Sequence, residues 1–138
     1  MERKRLFVIA SLLLLVTGGV TLGGAGKAQS SCPVSGKALN KAVFVDHQGQ
    51  RVYFCCQGCP AAFKADPETY YAQFEKDGVE LENIQTTCPV SGEKLGGHGE
   101  ATSVTYKGRT VKFCCSACKK PFAQEPEKYL AKLPGEQF

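Results

Sequence analysis

Phe54-Cys55-Cys56-Gln57-Gly58-Cys59-Pro60 and Phe113-Cys114-Cys115-Ser116-Ala117-Cys118-Lys119 are one stretch written twice, fifty-nine positions apart. Each holds an adjacent pair of cysteines and a third thiol three residues on. The whole chain has 138 residues, eight cysteines, one methionine and no tryptophan. Working outward, Gly49 and Val52 recur as Gly108 and Val111, and Phe63, Pro67 and Tyr70 recur as Phe122, Pro126 and Tyr129. Upstream the offset falls to fifty-six: Cys32-Pro33-Val34-Ser35-Gly36-Lys37 answers Cys88-Pro89-Val90-Ser91-Gly92-Glu93. The second copy thus carries three extra residues, placed in Gly96-Gly97-His98-Gly99, where a glycine-rich loop absorbs them cheaply. A repeat of this kind decides the architecture before any single motif does.

Each copy reads the same way locally. A Cys-Pro-x-Ser-Gly turn comes first, because proline and glycine both favour a tight reversal. Two short strands follow, Ala42 to Asp46 and Arg51 to Phe54, joined around Gln48-Gly49. Their counterparts are Ser103 to Tyr106 and Thr110 to Phe113, joined around Lys107-Gly108. Alternation of Val and Phe with polar residues predicts a hairpin with one buried face. A helix is expected right after the paired cysteines, near Gln57 and Ser116, with Pro60 tolerated in its first turn. Asp66-Pro67-Glu68 reads as a helix stop followed by a capped start, running to about Lys76. Phe63, Tyr70 and Phe74 are then expected to face Val43, Val45 and Val52, with Tyr70 and Tyr129 closing helix against hairpin. Phe54 and Phe113 are assigned to the core, and His47 to solvent at the hairpin tip. His98 is likewise assigned to solvent, and Lys119-Lys120 to an exposed helix face. The expected fold is α+β: two small tandem treble-clef-like units, at residues 29–77 and 88–138, separated by a polar connector at 78–87.

Residues 1–28 read as a signal peptide. Arg3, Lys4 and Arg5 precede an apolar run from Leu6 to Val16, and small residues lead to Gly26-Lys27-Ala28. The run is shorter than the roughly twenty residues a membrane span needs, so cleavage near Ala28 is expected over an uncleaved anchor. Formal charge is +4 from 17 basic and 13 acidic side chains. Arg3, Lys4, Arg5 and Lys27 against Glu2 account for most of that excess, so basicity belongs to targeting and implies no nucleic-acid partner. The expected location is the periplasm or cell envelope, with membrane attachment only through the leader.

A unit of about 45 residues seldom stands on its own core, and thiols are the staple on offer. Cys32 lies on the opening turn, and Cys55, Cys56 and Cys59 lie where the second strand gives way to the helix. Cys88, Cys114, Cys115 and Cys118 repeat the set. All eight are candidate metal ligands. A closed structural zinc site wants a Cys-x-x-Cys turn, yet Ser35 and Ser91 stand at its second position. Each copy thus offers Cys32 or Cys88 plus two of its three clustered thiols, and three thiolates suit Cu(I) better than Zn(II), with both ions kept as candidates. Ser35 is expected to matter little to affinity.

These residues resemble the TRASH/YHS family of small heavy-metal-binding domains. The resemblance rests on Cys32-Pro33-Val34, Gly49, Phe54-Cys55, Cys59, Phe63 and Pro67 to Tyr70. In the second copy it rests on Cys88-Pro89-Val90, Tyr106, Gly108, Phe113-Cys114, Cys118, Phe122 and Pro126 to Tyr129. It implies a treble-clef-like fold and the binding, sensing or trafficking of transition metals. By family position the ligands would be Cys32, Cys55 and Cys59, and Cys88, Cys114 and Cys118. His47 departs from the usual tyrosine, and Cys56 and Cys115 occupy a position often held by serine.

Two other readings stay open. An exported chain with an even number of cysteines can bridge them as disulfides. Cys56-Gln57-Gly58-Cys59 and Cys115-Ser116-Ala117-Cys118 also have the Cys-x-x-Cys spacing of thiol–disulfide exchange, although no βαβ unit precedes them. No phosphate-binding glycine loop, carboxylate pair, serine triad or H-E-x-x-H is present, so no enzyme activity is expected. The expected partners are a metal ion and a protein that donates or accepts it.

Overall fold

The computed structural model describes residues 26–138, so the expected leader falls outside the described residues except for its last three. The described residues form a mixed α/β structure of three small sheets and short helices. Its elements are β1 (Lys27–Ala28), β2 (Asn40–His47), β3 (Gln50–Phe54), α1 (Cys59–Ala65), α2 (Pro67–Asp77), β4 (Val79–Glu80) and β5 (Glu82–Asn83). They continue with β6 (Thr102–Tyr106), β7 (Arg109–Phe113), a 3₁₀ turn at Ser116–Cys118, α3 (Lys119–Gln124) and α4 (Pro126–Leu130). No helix among the described residues is long and apolar enough to cross a membrane.

Both hairpins form where the alternation places them. β2 pairs with β3 and β6 with β7, all antiparallel, with His47 opposite Gln50 and Tyr106 opposite Arg109. The two-residue turns are left-handed at both positions: φ is 46° at Gln48 and 78° at Gly49, and 45° at Lys107 and 74° at Gly108. Turns of that hand match the twist of the flanking strands. Gly108 is fixed by a second demand, since a Cβ there would stand 2.2 Å from the Tyr71 carbonyl oxygen.

The α-helices start two to three residues later than expected, although in the second copy helical structure does begin at Ser116 as a 3₁₀ turn. Residues 55–58 are a bend and turn, α1 begins at Cys59, and the second copy makes a 3₁₀ turn before α3. The adjacent cysteines therefore sit on a knuckle between strand and helix. Pro60 does occupy the first turn of α1. Asp66 caps α2, its side chain accepting the Thr69 N–H, and Gly78 ends it at φ 66°.

Each hairpin closes on its own helices over a separate core. Val43, Val45, Val52, Phe54, Phe63, Tyr71, Phe74 and Leu81 surround Cys32 and Cys59. Val111, Phe113, Phe122, Leu130 and Leu133 surround Cys88, Cys114 and Cys118. One expected contact moves by a residue: Tyr71 is fully buried while Tyr70 is half-buried, because Tyr71 shares a helix face with Phe74 and lies beneath Arg109.

The connector is more than a spacer. Leu81 and Gln85 are buried, and β5 adds to the free edge of β3. Side chains then carry the contact across, with the amides of Gln50 and Asn83 both donating to the Thr110 carbonyl on β7. Arg109, fully buried on β7, stacks 3.6 Å from the Tyr71 ring centre and pairs with Glu68 on α2. In return, the C-terminal residues lie on the first hairpin. The Gly49 N–H donates to the Pro134 carbonyl at 2.7 Å, and the Glu136 N–H to that of Asp46 at 2.7 Å.

That tail overturns the expectation for His47. It is 2% exposed, stacked 4.5 Å from Phe138 and hydrogen-bonded through Nδ1 to the Tyr71 hydroxyl at 3.1 Å. Burial, with the positive charge of Arg109 beside it, lowers its pKa to about 4. His98 is exposed as expected, 3.5 Å from Glu93.

Candidate metal centres

Six of the eight candidate ligands converge in two groups. Cys32, Cys55 and Cys59 form one and Cys88, Cys114 and Cys118 the other, with the sulfur atoms of each group all within 4.8 Å of one another. Within them Cys55 and Cys59 stand 3.6 Å apart, and Cys114 and Cys118 3.8 Å. Three sulfurs bound to one ion at about 2.3 Å would be separated by about 3.8–4.0 Å, so each group lies within about 1 Å of the spacing that one soft ion requires. All eight cysteines are free thiols, and of the six only Cys55 is more than marginally exposed.

Cys56 and Cys115 stand apart. Both are exposed and lie outside the three-sulfur groups, yet their sulfurs are 3.5 Å from Cys59 and 3.6 Å from Cys118. The knuckle produces this split: Cys55 and Cys114 turn inward beside the strand ends, and the next residue in each copy turns out.

The protons on these thiols are unevenly held. Burial opposes ionisation of Cys32, but hydrogen bonds from the Ser35 hydroxyl and from the backbone N–H groups of Ser35, Cys55 and Val34 outweigh it, leaving a pKa of about 6. Cys88 has the same cradle from Ser91, Cys114 and Val90 and also falls to about 6. Cys59 is pushed up to about 12 by its hydrogen bond with Cys56 and by burial. Cys118 is pushed up as well, chiefly by burial. The Gly58 backbone lowers Cys56, and the Cys118 backbone lowers Cys115. Each site therefore pairs one thiolate-prone sulfur with one that keeps its proton.

The serines have a task that the sequence reading did not give them. Ser35 Oγ lies 3.1 Å from Cys55 Sγ, and Ser91 Oγ lies 3.3 Å from Cys114 Sγ. A hydroxyl in that place can donate to a thiolate and orient it, as groups behind metal ligands do. The turn that presents it is identical in both copies: Gly36 N–H to the Cys32 carbonyl and Gly92 N–H to the Cys88 carbonyl, each 2.8 Å.

Two more positioning residues went unread. The Gln29 side chain donates to the Tyr53 carbonyl at 2.8 Å and accepts the Tyr53 N–H at 2.9 Å. Gln85 does the same on β7, with its amide donating to the Lys112 carbonyl and accepting the Lys112 N–H. Each glutamine also donates to the carbonyl two residues on, at Ser31 or Thr87. The clamp ties the cysteine turn to the strand that ends in Phe54-Cys55 or Phe113-Cys114, and so sets the first ligand against the second. The signal was available, because both glutamines precede their Cys-Pro by three residues, at the same offset of fifty-six. Both lie upstream of the Cys-Pro at which the two copies begin to match, Gln29 at the very edge of the first unit and Gln85 in the connector.

Residues 87–132 match the YHS domain family model. The match spans a third of the chain and supports a YHS-type metal-binding domain in that segment, which contains Cys88, Cys114 and Cys118. No curated protein and no solved structure matches the chain.

Proposed function

We propose that this protein binds a thiophilic transition metal in the cell envelope, one ion at each three-sulfur group, and serves as a carrier, buffer or sensor rather than as an enzyme. The observation that carries the reading is the convergence of three thiols from two separated segments, the opening turn and the strand-to-helix knuckle, twice, with the sulfurs of each group within 4.8 Å of one another. The YHS match over the second group supports it there. The first unit repeats the hairpin, the serine–sulfur contact and the glutamine clamp, so we assign both units to one tandem, treble-clef-like design. Export rests on the sequence of residues 1–28.

Cu(I) is the proposed cargo in preference to Zn(II). Three sulfurs are within reach of one another in each group, and the serine at the place of a fourth ligand is engaged with a sulfur instead. Cu(I) tolerates low coordination by thiolate, whereas structural zinc takes four ligands. The test is competition at one pH between a Cu(I) chelator and a zinc indicator. Cu(I) should displace bound zinc, and zinc retained against excess Cu(I) would overturn the preference.

One observation favours a second reading. An exposed Cys56 with a lowered pKa beside a buried Cys59 with a raised one is the asymmetry used in thiol–disulfide exchange. Insulin reduction by the reduced chain, absent in the Cys56→Ser, Cys115→Ser double variant, would establish it in place of metal carriage.

A further inference from the structure

The exposed thiols remain outside the sites as described. Cys56 is no member of the first three-sulfur group, and Cys115 is no member of the second. Each nevertheless stands at hydrogen-bond range from the group's helix-side ligand, 3.5 Å from Cys59 and 3.6 Å from Cys118. Cys59 is thus the sulfur common to a buried group and to an exposed pair, since it also lies 3.6 Å from Cys55. The arrangement recurs in the second unit on a different helix start, a 3₁₀ turn instead of α1. An accident of one loop would not repeat in that way.

Buried ligands create a kinetic problem. Cys32 and Cys59, and Cys88, Cys114 and Cys118, are at most 8% exposed, so an acceptor cannot reach most of the metal–sulfur bonds directly. Exchange between thiolates is fast when an incoming sulfur can bond before an outgoing one leaves.

We propose that Cys56 and Cys115 are exchange ligands, the exposed thiols through which an ion passes between each buried three-sulfur group and a thiol-bearing donor or acceptor. This rests on the metal-binding reading above. In the outward step the Cys56 thiol gives its proton to water and its sulfur bonds the ion. The bond to Cys32 then breaks, and Cys32 is left as a thiolate or takes up a proton. The ion now sits on the Cys56–Cys59 side, open to an external thiolate that replaces the protein sulfurs in the same manner. The oxidation state of the metal does not change, and no electron acceptor is required. Cys115 and Cys118 act likewise, with Cys88 released.

Two measurements on the full-length reduced chain loaded with Cu(I) test this. In the first, iodoacetamide is added to the loaded chain and the modified sites are mapped by peptide mass spectrometry. Cys56 and Cys115 should react at least tenfold faster than the other six thiols. Protection of all eight alike would make them resident ligands and overturn the proposal. In the second, Cu(I) transfer to bicinchoninate and to a dithiol is followed by stopped flow for the chain and for its Cys56→Ser, Cys115→Ser double variant. The variant should still hold two ions but release them at least tenfold more slowly, with the larger effect on the dithiol. An unchanged rate would overturn the proposal, as would loss of bound ions in the variant. Failure of the unsubstituted chain to take up Cu(I) would instead defeat the metal-binding reading itself.

Discussion

Cys59 and Cys118 keep their protons at neutral pH, whereas Cys32 and Cys88 lose theirs near pH 6, so an arriving ion displaces different numbers of protons at different pH. Metal binds the thiolate, and every proton held by the free site must leave. Affinity should therefore rise with pH throughout the neutral range, because Cys59 and Cys118 are protonated in the free chain. Below about pH 6 the free chain also holds protons on Cys32 and Cys88, and the slope of log affinity against pH should steepen by about one proton per site. Chelator competition between about pH 5 and pH 8 reads both slopes, and a single constant slope would contradict the assignment. The serines belong to the same scale. Ser35→Ala removes the hydroxyl 3.1 Å from Cys55 Sγ, and the first site should lose about tenfold in affinity without change of stoichiometry. That revises the expectation that Ser35 is a bystander. Sequence alone shows a serine where a ligand is missing; only the folded turn shows that its oxygen meets a sulfur.

At the scale of elements, the site depends on how a turn is registered against a strand. A hydrogen-bonded turn places Cys88, β7 delivers Cys114, and the Gln85 amide couples the two by exchanging both hydrogen bonds with Lys112. Gln85→Ala leaves that N–H and carbonyl without partners and frees the turn. The second site should weaken by about tenfold or more while the first is unaffected, which titration of the separate sites would show. Stability should fall as well, by roughly 1–2 kcal/mol for the lost hydrogen bonds at a half-buried edge. The hairpins were legible because alternation and a two-residue turn with glycine are local signals. Helix starts were less so: nothing local distinguishes a helix beginning at Gln57 from a turn that delays it to Cys59. The glutamine clamps were missed because a repeat boundary was drawn at the cysteine, although matching had not ended there.

For the whole molecule, the two units share surfaces that neither sequence copy predicts. Arg109 reaches Glu68 and Tyr71 across the divide, and the C-terminal tail covers His47. Such contacts join different copies, so no periodicity within a copy reports them. They also bear on stability, since a unit of about 45 residues has too small a core to stand alone. His47 provides a probe of this interface. Its pKa is about 4 in the folded chain against an ordinary 6.5, so between those values the unfolded chain binds the extra proton. Stability from this group is complete above about pH 6.5 and is lost as pH falls towards 4. The loss should be roughly 2–3 kcal/mol larger in the unsubstituted protein than in His47→Gln, measured by urea unfolding at pH 7 and pH 4. Arg109, Glu68 and Glu136 face the same imidazole, and the comparison with the variant isolates its share. The central claim is that the chain holds two separate three-sulfur metal sites. Native mass spectrometry of the reduced chain titrated with Cu(I), beside a variant with Cys88, Cys114 and Cys118 all changed to serine, tests it most directly. The account predicts two ions on the unsubstituted chain and one on the variant. A single ion on the unsubstituted chain and none on the variant would mean one shared site and contradict it.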